Sequence, residues 1–404
     1  MKAEIIAIGD ELTTGQRLDT NSQWLSRELG LLGVVVSGHT TVPDTIEDAV
    51  RAFREARQRA DVVVATGGLG PTADDLTREV LARVAGEPLE LVPEALQAIE
   101  AMFASRGRTM TDNNRLQAML PRTATMIANP TGTAPGIDLP GSRATSAGGR
   151  IFALPGVPSE MHRMWADTVQ PAILAMDPQG GTMRFRVLKC FGAGESAIET
   201  MLPDLIRRGR DPLVGITAHE ATITLRIAAR GRDAAACQAA IAPVEATIRD
   251  CLGELVFGEE SDELEDATVR FCQAQSLRVA VCEAGTVGRL GMLLAEADHR
   301  QQTNVFRGGR LLGTGDAAAD VVEMAEACRR DVQATAAIAV GSVRRDSDGR
   351  EWLPMAVVGP HDTCRHDHLL GGMGSLRLSR AAKTALDMLR RLAAGLPPLA
   401  DAPR

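Results

Sequence analysis

The stretch DVVVATGGLGPTADDLT, residues 61–77, carries the reading of the fold. Its first five residues are a short β-branched run, compatible with a strand buried in a parallel sheet. Glycines at 67, 68 and 70 with a proline at 71 then make a loop that lets a ligand approach the backbone closely. Asp74 and Asp75 follow on the first turn of an expected helix that runs to about residue 84. Backbone amides attract an anion, whereas two carboxylates repel one. A phosphate carrying a hard cation needs both.

Working outward, the same alternation recurs. Residues 3–8 read as a strand, and 22–32 as a helix with Asn21 as its N-cap. A second strand begins at 34–36. The run VPDTIE, residues 42–47, puts Asp44 at an N-cap with Glu47 three residues on, ahead of a helix to about 59. Helix continues to residue 120, a long loop spans 129–149, residues 151–154 form a last strand, and a helix starts at Ser159. This order predicts a doubly wound α/β sheet with its ligand at the strand C-termini. Gly9, Asp10, Glu11, Asp44, the 66–77 loop and the LPGVPSE segment (154–160) all fall at such ends. Taken singly, Asp44, Asp74 and Asp75 would serve equally as helix caps. As a set with Asp10 and Glu11, they point to a metal-bound phosphate.

Composition narrows the chemistry. A length of 404 residues suits two or three domains. A formal net charge of −8 argues against a general grip on nucleic acid. No apolar run approaches the roughly 20 residues of a membrane span, and no signal-peptide pattern opens the chain, so a cytoplasmic protein is expected. Seven cysteines, all from residue 190 onward, form no C-x-x-C pair and read as reduced thiols. Tyrosine is absent, lysine occurs only at 2, 189 and 383, and no phosphate-loop G-K-[ST] occurs.

Residues 183–258 change character: strand, GAGES (192–196), helix, strands at 213–218 and 221–229 joined by a turn at His219-Glu220, then a helix. EESDELE (259–265) reads as an acidic linker, and residues 265–395 return to α/β order, closing on a helix at 376–392. HDTCRHDH (361–368) is dense in metal-ligand residue types. On a strand His366 and His368 would share a face, but the spacing fits no zinc pattern, and a solvated edge strand or loop is expected.

The strings GDELTTG (9–15), DTN (19–21), TGGLGPTADDLT (66–77), NPTGTAPG (129–136) and LPGVPSE (154–160) resemble the competence/damage-inducible CinA family. They also resemble the molybdopterin-binding MoaB/MogA-like domain with which that family begins. GAGES resembles the family's KH-like middle domain, though it lacks a basic cluster and implies no nucleic-acid binding. The resemblance covers roughly the first 260 residues well. It implies a doubly wound MoaB/MogA-like domain over 1–176, a small α+β KH-like domain over 177–258 and an α/β C-terminal domain over 265–398.

It further implies a homodimer whose first domain is a divalent-metal-dependent (Mg, Mn or Co) ADP-ribose pyrophosphatase acting on a small nucleotide. Asp44 and Asp75 would be the metal ligands, with Asp74 or Glu11 as the general base. Asp10, Asn21, Gly67, Gly68, Gly70, Thr72, Thr77, Asn129, Gly132, Thr133, Gly156, Ser159 and Glu160 would hold the substrate. A non-catalytic pterin- or nucleotide-binding regulator is the alternative.

The last domain departs from the family's nicotinamide-nucleotide amidohydrolase. Its A-E-S-C-T-G-G entry segment reads here VCEAGTVG (281–288), with Ala284 in place of the serine nucleophile. The segment RGGRLLGTG (307–315) carries neither the family's tyrosine nor its lysine, and Leu376 replaces an arginine while Arg380 is kept. Deamidation of nicotinamide mononucleotide is not expected.

Overall fold

The structure is a computed structural model that describes residues 1–141, 148–178, 180–202, 204–207, 209–313, 320–371 and 375–399. Residues 142–147 of the expected long loop, and the end of the 307–315 segment, lie outside them. Packing divides the chain into two compact units, Met1–Arg184 with Arg230–Cys237, and Phe185–Ala229 with Gln238–Arg404.

In the first unit β1 (Lys2–Ile8) leads through a one-turn helix α1 (Asp10–Thr13) into α2 (Thr20–Leu31). Then come β2 (Val35–Val42), α3 (Ile46–Arg59), β3 (Val62–Thr66) and α4 (Thr77–Ala85). A two-stranded ribbon of β4 (Leu89–Leu91) and β5 (Met119–Pro121) encloses α5 (Pro93–Ser105) and α6 (Asp112–Arg115). The unit closes with β6 (Thr125–Ile127), β7 (Gly136–Leu139), β8 (Arg150–Leu154), α7 (Pro158–Met164) and α8 (Gln170–Met176). The main sheet runs β2-β1-β3-β8-β7-β6; its first four strands are parallel, and β7 and β6 are antiparallel to their neighbours.

Strand periodicity explains why helices cover both faces. Ile6, Ile8, Val63, Ala65, Ile151 and Ala153 point to the side packed by Phe53 of α3 and Leu81 of α4. Ala3, Ile5, Val62, Val64, Phe152 and Leu154 point to the other, against Leu25 and Leu29 of α2 and Met161 of α7. A strand buried on both faces has no polar side to show, which is why β3 is an unbroken run of buried residues.

Several local expectations are corrected. Asp19, not Asn21, caps α2, its carboxylate accepting from the Ser22 N–H. Asp44 lies two residues before α3, whose N-cap is Thr45. Asp74 and Asp75 precede α4 instead of forming its first turn. Within the expected long loop, residues 136–139 make a sheet strand. The helix expected to run to residue 120 is broken by β4 and by the segment after α5.

A four-stranded sheet follows, ordered β10-β11-β9-β12 from β9 (Thr182–Cys190), β10 (Leu213–His219), β11 (Thr222–Gly231) and β12 (Val256–Glu259), with α9 (Glu195–Met201) and α10 (Ala234–Leu252). Glu259, read as linker, thus ends a strand, and the tight turn is Glu220–Ala221.

The C-terminal part comprises α11 (Leu264–Ala274), β13 (Val279–Glu283), α12 (Arg289–Gln301), β14 (Phe306–Leu311), α13 (Val321–Asp331), β15 (Ala336–Val340), β16 (Arg344–Arg345), β17 (Glu351–Val358), β18 (Thr363–Leu369) and α14 (Ser375–Ala394). Its sheet runs β14-β13-β15-β17-β16, with β18 also paired to β17. Leu290 of α12 and Leu386 of α14 pack on one face, while Met324 and Ala325 of α13 pack on the other.

Candidate functional site

In the first unit the ends of β1, β2, β3 and β8 open on one cavity of about 500 Å³. Two of its loops are locked to each other. The Asp10 N–H donates to Asp44 Oδ2 at 2.9 Å, and the Asp44 N–H donates to Asp10 Oδ1 at 3.1 Å. This exchange holds the carboxylate after β2 beside the one after β1. Burial pushes the Asp44 carboxyl above its ordinary range, the Asp10 N–H opposes this, and the charges of Asp10, Asp74 and Glu11 push it further up. Four carboxylates therefore share one neighbourhood, an arrangement a bound cation would relieve. The exposed Asp74 is held below the usual range, chiefly by the Thr72 hydroxyl.

The glycine loop is built differently from the expected cradle. Asp75 folds back on it: Oδ1 accepts the Gly70 N–H at 2.7 Å, and Oδ2 accepts the Thr72 N–H at 2.9 Å and the Thr72 hydroxyl. The Gly67 N–H goes to the Leu154 carbonyl, and the Thr77 hydroxyl donates to the Gly67 carbonyl. Buried Arg78 braces the far side, donating to the carbonyls of Leu69 and Gly70 at 2.7 and 2.6 Å. Within residues 67–72, the N–H groups left without an acceptor among the described residues are those of Gly68 and Leu69. Gly67 and Gly68 adopt φ of 102° and 67°, and a Cβ on Gly68 would sit 2.4 Å from Thr77 Oγ1.

Of the residues expected from sequence, Glu11, Asn21, Asp44, Gly67, Gly68, Gly70, Asp74, Asp75, Thr133, Gly156 and Glu160 line the cavity. Asp10, Thr72, Thr77, Asn129, Gly132 and Ser159 do not. Asp10, Thr72 and Thr77 act through the loop bonds above. Asn129 donates to Glu160 Oε2 at 2.7 Å and accepts from the Gly132 N–H, so this pair shapes the wall behind Glu160. Asn21 donates to the Gly156 carbonyl at 2.9 Å, tying the start of α2 to the β8 loop.

Sequence reasoning missed Arg17, the basic side chain on the lining, and Arg78 beneath the loop. Arg17 had a usable signal: it is the cation of a loop that leaves a strand end and enters a helix. Arg78 had none, because a helical arginine reads as solvent-facing until its carbonyl partners are known.

Whether these residues suit a divalent metal turns on their donors. Asp10, Glu11, Asp44 and Asp74 offer the hard oxygens such a cation requires. Asp75 has both oxygens engaged in the loop. As they stand, no three His, Cys, Asp or Glu side chains among the described residues converge to hold a metal. The set supplies suitable donor atoms without a converged geometry.

In the second unit Ala284 is buried at the end of β13. The Thr286 hydroxyl, fully buried, donates to Glu283 Oε2 at 2.6 Å, and Glu283 also accepts the N–H groups of Leu290 and Gly291. The carboxylate thus anchors the start of α12. Lys383 and Lys189 both approach Glu263, at 3.5 and 3.8 Å, and Lys383 donates to the Thr222 hydroxyl. His366 and His368 lie on β18 and are buried, not solvated.

No helix among the described residues is long and apolar enough to cross a membrane. A profile described as the probable molybdopterin binding domain matches residues 4–175, and one described as the damage-inducible protein CinA KH domain matches 185–258. A CinA-like protein of Trichormus variabilis is 35% identical over 97% of this chain and 99% of its own length. Another, from a Synechococcus species, is 36% identical over 90% and 91%. The crystal structure of the protein CinA from Thermoplasma acidophilum shares 32% identity, covering 42% of this chain and 96% of that one, with a TM-score of 0.39.

Proposed function

We propose that this chain, which belongs to the CinA-like family, hydrolyses the pyrophosphate bond of ADP-ribose or a related nucleotide in the cavity of its first unit, with a divalent metal (Mg²⁺, Mn²⁺ or Co²⁺). One observation carries the reading: backbone amides, an arginine and the carboxylates of Glu11, Asp44 and Asp74 open on the same cavity, with Asp10 bonded behind Asp44. The Gly68 and Leu69 N–H groups and Arg17 are placed to meet phosphate oxygens. Asp44, with Asp10, Glu11 and Asp74 around it, would hold the metal. When bound, that ion would offset phosphate charge and make a bound water more acidic.

The protein's own part is to bind, orient and accept a proton. Glu11 and Asp74 are the carboxylates for that last role. Asp75 becomes the residue that shapes the loop. A nucleotide hydrolysis panel with Mg²⁺, Mn²⁺ and Co²⁺, each against EDTA, tests the proposal. AMP and a sugar phosphate should form from ADP-ribose only when metal is present.

The engaged oxygens of Asp75, and the lack of a converged trio of ligands, favour a second reading: a pterin- or nucleotide-binding regulator without catalysis. Tight nucleotide binding with no product under any metal would select it. The second unit adds no deamidase to either reading, because Ala284 carries only a methyl group and Thr286 is spent on Glu283.

A further inference from the structure

Cys282 stands on β13 and Cys328 on α13, and both are free thiols in the structure. The packing of that helix brings them together. Val321, Ala325 and Cys328 recur at helical spacing and make the stripe of α13 that faces the sheet. Beneath it the sheet shows alanines: Ala280 of β13, Ala337 and Ala339 of β15, and Ala356 of β17. Close packing over side chains this small brings the helix down onto the strands. Cys328 Sγ accordingly lies 3.3 Å from the Val281 carbonyl, to which its S–H donates, one residue before Cys282. Cys282 shares the side of β13 with Ala280 and so points to the same helix.

Arg310 sits over the pair. It is the register partner of Cys282 on β14 and shares that face of the sheet. Its guanidinium makes an ion pair with Asp331, about one turn beyond Cys328 on α13. Arg310 is half-exposed, which puts the two buried thiols next to the surface.

The thiols are not equivalent. Burial pushes those of Cys190 and Cys272 up to about 12. Cys328 goes the other way, down to about 7, because the Cys282 thiol hydrogen-bonds to its sulfur and Arg310 adds its charge against the effect of burial. Cys282 is raised in return, first by Cys328 and then by burial. A sulfur that ionises near neutrality thus lies beside a protonated thiol, the pairing of a nucleophile with its resolving partner.

We propose that Cys282 and Cys328 form an oxidisable pair that a hydroperoxide converts to a disulfide, fastening α13 to β13. The Cys328 thiolate attacks a peroxide oxygen and the O–O bond breaks. The alkoxide leaves and takes up the proton Cys328 gave, leaving Cys328 as a sulfenic acid. The Cys282 sulfur then attacks that sulfur, the S–O bond breaks, and the departing hydroxide takes the Cys282 proton to become water. Two thiols are oxidised, and one hydroperoxide is reduced to an alcohol and a water. The step uses neither the Ala284 position nor the cavity of the first unit.

The full chain, reduced and then treated with hydrogen peroxide, tests it. Trypsin cuts after Arg278, Arg289, Arg310 and Arg329, so each thiol leaves in a peptide with no other cysteine, residues 279–289 and 311–329. Mass spectrometry without reductant should find these two joined, lighter by two hydrogens than the separate peptides, and parted again by dithiothreitol. Cys282→Ser should halt the reaction at the Cys328 sulfenic acid, which dimedone traps. Arg310→Gln should slow linkage about threefold or more, because it removes the charge that favours the thiolate. A bond between residues 282 and 328 closes a long loop, so the treated wild type should melt about 5 °C or more above Cys282→Ser treated alike. The exposed Cys251 shows in the same digest that the peroxide has acted. The inference is overturned if Cys251 is oxidised while the two peptides stay separate. It is equally overturned if they join only in urea, or if the linked protein melts no higher.

Discussion

Asp75→Asn separates a loop-shaping carboxylate from a metal ligand. In the native loop Oδ1 takes the Gly70 N–H at 2.7 Å, while Oδ2 takes the Thr72 N–H at 2.9 Å and the Thr72 hydroxyl. An asparagine has one accepting oxygen, so its amide N–H must face either Gly70 or Thr72, donor against donor. Hydrogen bonds to an ionised acceptor contribute about 1.5–3 kcal/mol when sheltered. The Gly70 bond is partly buried and the Thr72 bonds are at the surface, which sets the loss at about 2 kcal/mol. For a unit of this size that lowers the melting temperature by about 4–8 °C. Calorimetry in EDTA reads this without any contribution from metal. A residue serving only as a metal ligand would behave oppositely: removing one charge from a crowd of carboxylates leaves the metal-free protein as stable or more so. A variant melting at or above the wild-type temperature in EDTA refutes the loop-shaping role.

Asp44→Asn keeps an oxygen for the Asp10 N–H and removes the partly buried charge. In the wild type the raised Asp44 pKa gives a stabilisation that is complete below the ordinary aspartate value of 3.8 and is lost as pH rises through the raised one. Urea midpoints measured across that window should therefore fall less steeply with pH in the variant, and parallel profiles would contradict the shift. Gly68→Val places a β-branched side chain at a φ of 67° and against Thr77 Oγ1, so nucleotide affinity by calorimetry should fall at least about tenfold. Unchanged affinity in a folded variant would remove the loop from binding. The full chain should release no ammonia from nicotinamide mononucleotide. Ala284→Ser alone should not restore release, since Lys189 and Lys383 are both committed to Glu263. Ammonia above background that disappears on Cys282→Ala or Thr286→Ala would show a nucleophile where none is expected.

The doubly wound sheet was legible because residues 62–66 have no polar side, and because glycines and carboxylates recur after successive apolar runs. The crevice followed from that order alone. The assignment of donors and acceptors inside it did not. Asp19 and Asn21 are both plausible caps two residues apart, and only the backbone path shows that Asp19 meets the Ser22 N–H while Asn21 reaches Gly156, 135 residues away in sequence. Asp74 and Asp75 are adjacent and chemically identical and both line the cavity, yet only Asp75 folds back onto the Gly70 and Thr72 N–H groups. The strand at residues 136–139 was hidden because a four-residue segment in a stretch rich in glycine, proline and threonine carries almost no periodic signal. His366 and His368 were placed on a shared face correctly, but their burial depends on α14, which lies far along the chain from any local pattern.

The proposed metal-dependent hydrolysis would take place among the carboxylates of the first unit's cavity. Chromatographic measurement of AMP released from ADP-ribose by the wild type and by Asp44→Asn, each with Mn²⁺ and with EDTA, tests it most directly. AMP should accumulate only for the wild type with metal, and Asp44→Asn should lose about 100-fold or more of that rate, because an amide is a far weaker ligand for a hard cation. AMP formation at the same rate in EDTA, or in the variant, would contradict the account.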